Sequence, residues 1–230
     1  MTKMPTAEEA DLSGFQLFNK LNEDEFDRLN YDKTCSSYTK GTIIYREGSR
    51  LTGFFCVTRG IIKIYKTGID GKEQIIRFAQ KGDIIAYRSL LSQELACTTA
   101  QVIDEGVLCH IPYQTLLFLI KKNWQFSHHM LQIVCRELRE ANEFITDIAQ
   151  KTVRERLAEV LILLKENFDM DNQNILKINL TREEIANIVG TATESVIRLL
   201  SEFRQNKLID FKGRKIKLLD IKGLRHIANI

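Results

Sequence analysis

Leu180–Leu208 reads LTREEIANIVGTATESVIRLLSEFRQNKL, and this stretch decides how the rest of the chain is understood. Thr181 followed three residues later by Glu184 is the spacing of a capping box, which satisfies free amides at a helix start. Ile185, Ile188 and Val189 then recur at helical spacing and give a short helix one apolar face. Gly190 interrupts the pattern where a tight turn needs a left-handed residue. Thr191-Ala192-Thr193-Glu194 offers a second capping start. Beyond it Val196, Leu199, Leu200 and Phe203 form a buried stripe, leaving Glu194, Ser195, Arg198, Glu202 and Arg204 outside. Two short helices, a turn with glycine and a polar outer face on the second helix describe a helix-turn-helix. Two helices packed for stability alone would share much of this pattern. Glu194 and Arg198, at i and i+4, suit base edges in a major groove, although an intrahelical ion pair has the same spacing. The next residues, IDFKGRKIKLLDI, read as two strands around a basic turn, with Lys212, Arg214 and Lys215 placed to meet phosphates.

The chain has 230 residues, 44% of them hydrophobic, enough for a substantial core in one or two domains. Its net charge of +3 is unevenly spread: residues 151–230 carry 15 Lys and Arg against 11 Asp and Glu. Between Arg204 and Arg225 eight basic residues face only Asp210 and Asp220. That imbalance weakly favours nucleic acid at the C-terminal end. No run approaches the roughly 20 apolar residues of a membrane span, and no basic-then-apolar leader opens the chain, so a cytoplasmic protein is expected. Five widely spaced cysteines, Cys35, Cys56, Cys97, Cys109 and Cys135, suit reduced thiols better than a disulfide framework.

Residues 1–14 are polar and expected to be loose. Phe15–Leu29 reads as helical, with Phe18, Leu21, Phe26 and Leu29 as apolar anchors. From Tyr38 to His110 the pattern turns to short β-rich runs. Strands are expected at Thr42–Arg46, Gly53–Thr58, Ile61–Thr67, Glu73–Ala79, Thr98–Val102 and Val107–Ile111. Glycine-containing turns separate them, and Asp70-Gly71 is a good hairpin signal. Many short strands of this kind close into a small sandwich or barrel. After Pro112 the chain becomes helical. From Trp124 to about Thr152 one long helix carries Leu131, Val134, Leu138, Ala141, Ile145, Ile148 and Thr152 in alternating steps of three and four. That seam has a period of about 3.5, as in paired helices, although a core helix would also be apolar on one side. A further amphipathic helix runs from Val153 through Glu166, followed by a polar loop at 169–174 and a strand-like Ile175–Ile178.

This order resembles the CRP/FNR superfamily of bacterial transcription regulators. The resemblance runs from about Phe15 to Leu224. It rests on GTIIYREG at 41–48, FFCVTRG at 54–60, DGKEQII at 70–76, Gly82-Asp83 and the TREEIANIVGTATESVIRLL block. It implies an α+β fold: a β-roll sensor at 15–122, a dimerisation helix at 123–151 and a winged helix-turn-helix at 152–224. It also implies a homodimer on a palindromic DNA operator, working with RNA polymerase. In the family a glutamate and, four residues on, an arginine read a G·C pair, and these positions match Glu194 and Arg198. Thr193 stands where cyclic-AMP-type members have a further arginine. Thr191, Thr193 and Ser195 are candidate phosphate or base contacts, and equally candidate caps.

The effector site departs from the cyclic-nucleotide pattern. Gly82-Asp83 resembles the family's Gly-Glu pair, but Ala96-Cys97 falls where an Arg-Ser pair would hold the cyclic phosphate. A buried phosphate without an arginine loses its charge-assisted bonds. Arg88-Ser89, nearby but out of register, could substitute. The positions that contact adenine in cyclic-AMP binders correspond to Ala141 and Asn142. Cyclic AMP is therefore not expected; Gly82, Asp83, Arg88, Ser89, Cys97, Thr98 and Asn142 are the candidate pocket residues for a non-nucleotide small molecule, the alternative being that no ligand binds. An iron–sulfur cluster needs clustered cysteines, and only Cys35 lies near the N-terminus. Haem would need an axial ligand such as His110, Cys97, His128 or His129, and none sits in a motif. The competing functional class is a cyclic-nucleotide sensor whose winged domain binds protein. Catalysis is not expected, since no nucleophile–base grouping, metal spacing or phosphate loop is visible.

Overall fold

The structure, a computed structural model, describes residues 10–230. The chain divides into two compact units, one ending at Leu138 and the other spanning Arg139–Ile230. The expected looseness of residues 1–9 lies outside the described residues. From Leu12 onward the segment is anchored, because Leu12 and Phe15 are buried in the first unit's core.

In the first unit Phe15–Leu29 is not one helix. A 3-10 turn at Gln16–Phe18 precedes α1 (Glu23–Asp32). The break falls at Asn22, whose side chain accepts from the Glu25 amide at 2.9 Å while Glu25 caps Asn22 in return. The sheet that follows is wholly antiparallel. It is built from β1 (Thr34–Tyr38), β2 (Ile43–Tyr45), β3 (Gly53–Thr67), β4 (Glu73–Ala79), β5 (Ile84–Ile85) and β6 (Thr99–Pro112). Its main path runs β1-β6-β3-β4, with β2 on β6 and β5 on β3.

Four of the expected short strands are in fact two long ones. β3 runs through Arg59-Gly60, and β6 runs through Glu105-Gly106. These glycines mark bulges in the antiparallel pairing of the two strands, since the register shifts between Val57, Arg59 and Ile61. A Cβ on Gly106 would run into the Arg59 carbonyl oxygen, and one on Gly60 would lie 2.7 Å from the Gly106 Cα. Glycine is required there by close backbone approach, so the strands bend without breaking.

The cysteine expectation is also corrected. Cys35 and Cys109 form a disulfide, leaving Cys56, Cys97 and Cys135 free. The two half-cystines are 74 residues apart in sequence but directly opposite on β1 and β6, which spacing alone could not show. Cys56 is opposite Cys109 on the other flank, buried, with burial pushing its thiol well up.

A short helix, α2 (Tyr87–Leu91), carries Arg88 and Ser89 after β5, and α3 (Tyr113–Lys122) follows β6. One core cluster joins the sheet to the helices, where Phe54, Ile111, Leu116 and Leu119 meet Phe126 and Met130, and a second gathers Val57, Ile62, Ile64, Val102 and Leu108 of the strands. Those last two belong to α4 (Trp124–Gln150), the long helix the apolar seam predicts. Its first turns are buried on one side. Further along, Leu131, Leu138, Ile145 and Ile148 are exposed, Leu138 and Ile145 by 61% and 64%.

The second unit adds α5 (Val153–Phe168), α6 (Arg182–Val189), α7 (Thr193–Gln205), the hairpin β7 (Ile209–Lys212) and β8 (Lys215–Leu218), and α8 (Ile221–Ala228). α5 starts on a capping box from Thr152 and Glu155. Its Leu157, Leu161 and Leu164 join Ile185, Val189, Val196, Leu200, Phe203 and Leu224 in the core. Ile175–Ile178 forms isolated bridges to Met170 and Lys217, not a strand of its own. Nothing in the sequence reading anticipated α8, which Asp220 caps by accepting from the Gly223 amide at 2.8 Å.

Candidate nucleic-acid interface and effector site

The helix-turn-helix forms from the residues that announced it. Thr181 accepts from the Glu184 amide at 3.0 Å, and the Glu184 carboxylate accepts from the Thr181 amide at 2.7 Å. Gly190 adopts φ 73° and ends α6 with its amide on the Ala186 carbonyl. The second start differs from expectation. The N-cap of α7 is Ala192, with no side-chain hydrogen bond, and Thr193 is already helical. Thr193 and Ser195 are therefore not caps.

Helix geometry then sorts the side chains of α7. Val196, Leu199, Leu200 and Phe203 are buried, while Glu194, Ile197, Arg198 and Ser201 are exposed on one face at i, i+3, i+4 and i+7. Glu194 and Arg198 form no ion pair with one another or with any other described residue. Two other cations of this unit are committed elsewhere. Arg204 pairs with Asp210 at 3.0 Å, and Arg154 pairs with Glu202 at 2.8 Å over the Phe203 ring. At the hairpin tip Arg214 and Lys215 are exposed, and Lys212 donates to the Gln173 side chain at 2.9 Å. Gly213, at φ 63°, makes that tight turn possible. The arrangement offers a carboxylate and a guanidinium side by side on a helix, with flexible cations on a hairpin of the same unit.

The turn into α7 is held from behind. Arg156 donates from Nε to the Val189 carbonyl at 3.0 Å and from Nη1 to the Lys151 carbonyl at 2.7 Å. Lys151 is itself clasped by Asp147 at 2.9 Å and Glu159 at 2.7 Å. Burial lowers the Lys151 pKa, but these hydrogen bonds outweigh it and hold the ammonium charged.

In the first unit the expected effector residues lie around β5 and α2. Gly82 and Asp83 are docked onto β3: the Gly82 amide donates to the Val57 carbonyl at 3.0 Å, and the Val57 amide donates to the Asp83 carbonyl at 2.9 Å. Asp83 accepts from the Gln80 amide at 2.8 Å, and burial, above all, raises its pKa. Ser89 is buried and its hydroxyl accepts from the Cys97 amide at 3.1 Å. Thr98 is buried, and Cys97 is exposed. Asn142 is an exposed residue of α4 in the second unit. Arg88 is engaged by Glu137 of α4, Nε to Oε2 at 3.2 Å.

Sequence reasoning missed what surrounds Arg88. Arg77 Nη2 reaches the other Glu137 oxygen at 3.1 Å and the Ile84 carbonyl at 3.0 Å. The buried Tyr87 hydroxyl lies beside this carboxylate, and burial together with that charge pushes its pKa well up. Two arginines from the β-domain thus grip one glutamate of the long helix. The only sequence signal was Arg77 within a strand whose neighbours are apolar. An open groove of about 440 Å³ lies elsewhere, lined by Tyr45, Arg46, Arg50, Leu51 and Phe55. His110, half-buried, meets the Thr52 hydroxyl at 3.2 Å, and His128 lies against Trp124. Among the described residues no three His, Cys, Asp or Glu side chains group as metal ligands.

Residues 35–123 match the cyclic nucleotide-binding domain family, and residues 155–227 match the Crp-like helix-turn-helix domain family. The chain is 30% identical to the transcriptional activator protein FnrA of Stutzerimonas stutzeri, over 94% of this chain and 90% of that one. It is 27% identical to the fumarate and nitrate reduction regulatory protein of Escherichia coli K12, over 90% and 84% of the two chains. Among solved structures, a transcriptional regulator of the CRP/FNR family from Eubacterium rectale shares the fold with a TM-score of 0.79, at 22% identity over 94% and 99% of the chains. FixK2 of Bradyrhizobium japonicum does so with a TM-score of 0.75, at 24% identity over 85% and 96%.

Proposed function

This chain belongs to the CRP/FNR family of DNA-binding transcription regulators, and from that premise we propose that it binds a palindromic operator as a homodimer. In this reading α4 pairs with its copy through the exposed seam of Leu131, Leu138, Ile145 and Ile148. Each α7 enters a major groove, with half-site centres about one helical turn, ~34 Å, apart. The observation that carries the reading is the pair Glu194 and Arg198, exposed on α7 and free of protein partners among the described residues. Arg198 is suited to guanine O6 and N7, and Glu194 to the cytosine amino group. Thr191, Thr193 and Ser195 contribute positioning contacts, and Lys212, Arg214 and Lys215 meet phosphates. Residues 15–122 act as sensor, 123–151 as dimer helix and 152–224 as reader. The protein acts in the cytoplasm with RNA polymerase. No helix among the described residues is long and apolar enough to cross a membrane.

The sensor in this reading takes a small molecule other than cyclic AMP. Gly82, Asp83, Arg88, Ser89, Cys97 and Thr98 mark its region in the first unit. Ser89 spends its hydroxyl on the Cys97 amide and Arg88 its Nε on Glu137, which supports the departure from a cyclic phosphate. The other reading, a sensor whose winged domain binds only protein, is not favoured, because relatives matched along nearly the whole chain are regulators. No catalytic role is proposed.

Selection from a random duplex pool tests the function. Enrichment of an inverted repeat with a G·C pair in each half supports it, and a pool that stays random overturns it.

A further inference from the structure

Ile197 is the one large aliphatic side chain of α7 that the fold leaves outside. Val196, Leu199 and Leu200 are buried, whereas Ile197 is 49% exposed. It shares the outer face of the helix with Glu194, three residues before it, and Arg198, next to it. A β-branched residue is a poor choice for an exposed helix position when nothing packs on it, because it loses side-chain freedom in the helix and buries little. Single exposed apolar residues are common on protein surfaces and ordinarily carry no meaning. Here the position matters, because two groups suited to hydrogen-bonding base edges flank it. In the major groove the apolar feature a side chain can meet is the C5-methyl group of thymine.

Resting on the reading of α7 as the recognition helix, we infer that Ile197 is a specificity residue that packs on a thymine methyl group beside the G·C pair read by Glu194 and Arg198. The contact selects thymine by taking one methyl group and part of an isoleucine out of water. It adds no hydrogen bond and no charge. It therefore discriminates without changing the salt dependence of binding, unlike the hairpin lysines.

The test uses the full chain and the half-site enriched from a random pool. Each thymine of the half-site is replaced in turn by deoxyuridine, which removes only the C5-methyl group. One position beside the G·C pair is expected to lose about fourfold in affinity per half-site, the worth of one methyl group returned to water. Ile197→Ala should bind the thymine and deoxyuridine duplexes equally while still selecting the G·C pair. Arg198→Ala should show the converse, losing the G·C preference and keeping the deoxyuridine penalty. Because Ile197 is exposed, its variant keeps the fold, which thermal unfolding verifies. A half-site with no thymine beside the G·C pair overturns the inference. So does indifference to deoxyuridine at every position, or an unchanged penalty in Ile197→Ala. A pool that never enriches overturns the recognition reading itself, and this inference with it, so the two failures are distinct.

Discussion

Arg198 and Glu194 illustrate how a single side chain acquires a role from what surrounds it. Both were visible in the sequence as an i, i+4 pair, and the fold leaves both unpaired while neighbouring arginines are neutralised. Arg198→Ala is expected to cost about 1–3 kcal/mol of operator binding and to relax specificity at one base pair, measured by titrating duplexes that differ only there. Neutralising Lys212, Arg214 or Lys215 should weaken binding to all sequences alike and reduce the slope of log K against log salt by about one. Asp83 allows a different test. Burial raises its pKa, so the folded state holds that proton more tightly than the unfolded chain does. Its contribution to stability therefore grows as pH falls into the carboxylate range and is unfavourable at neutral pH. Asp83→Asn keeps an oxygen for the Gln80 amide and should raise the neutral-pH unfolding midpoint while flattening its pH dependence there. Arg77 and Glu137, the charges that act on Asp83, stay in place.

At the scale of elements, local chemistry explains the helix starts at Asn22, Thr152 and Thr181 and fails at the bulges where β3 pairs with β6. The box expected at Thr181 formed, and Asn22 and Thr152 start their helices in the same way, because each needs only residues three apart; the start expected at 191–194 has no side-chain cap. Thr181→Ala should cost about 1 kcal/mol in urea denaturation. Gly190→Ala should cost about 1–2 kcal/mol, since alanine resists the left-handed conformation recorded at that residue. The expected breaks at Arg59-Gly60 and Glu105-Gly106 looked like turns because glycine in a β-run signals both turns and bulges. Only the pairing of β3 with β6 decides between them. Gly106→Ala, which forces a Cβ into the Arg59 carbonyl, should destabilise the β-domain more than any surface substitution on β6.

For the whole molecule, the exposed seam of α4 and the Cys35–Cys109 link make separate predictions. Leu138→Glu or Ile145→Glu should convert the dimer to monomer by sedimentation and abolish operator binding at concentrations where the unaltered chain binds. A buried charge in an apolar interface is costly, and two half-sites need two readers. Thiol titration of the unfolded, unreduced protein should find three free cysteines, and five after reduction. Cys35→Ser should lower stability by about 2–4 kcal/mol, because the link closes a long loop in the unfolded chain.

The sequence by itself determined the features governed by short spacing. These were the capped start of α6, the turn at Gly190, the basic hairpin, the period of the α4 seam and the alternation that makes the first half a β-domain. Each depends on residues within a few positions of one another, where backbone geometry leaves few alternatives. Tertiary structure alone decided the joining of β3 and β6 into long bulged strands, the pairing of Cys35 with Cys109, and the gripping of Glu137 by Arg77 and Arg88. Those depend on which distant segments meet, and chain closure across tens of residues leaves no periodic trace in the residues that it brings together.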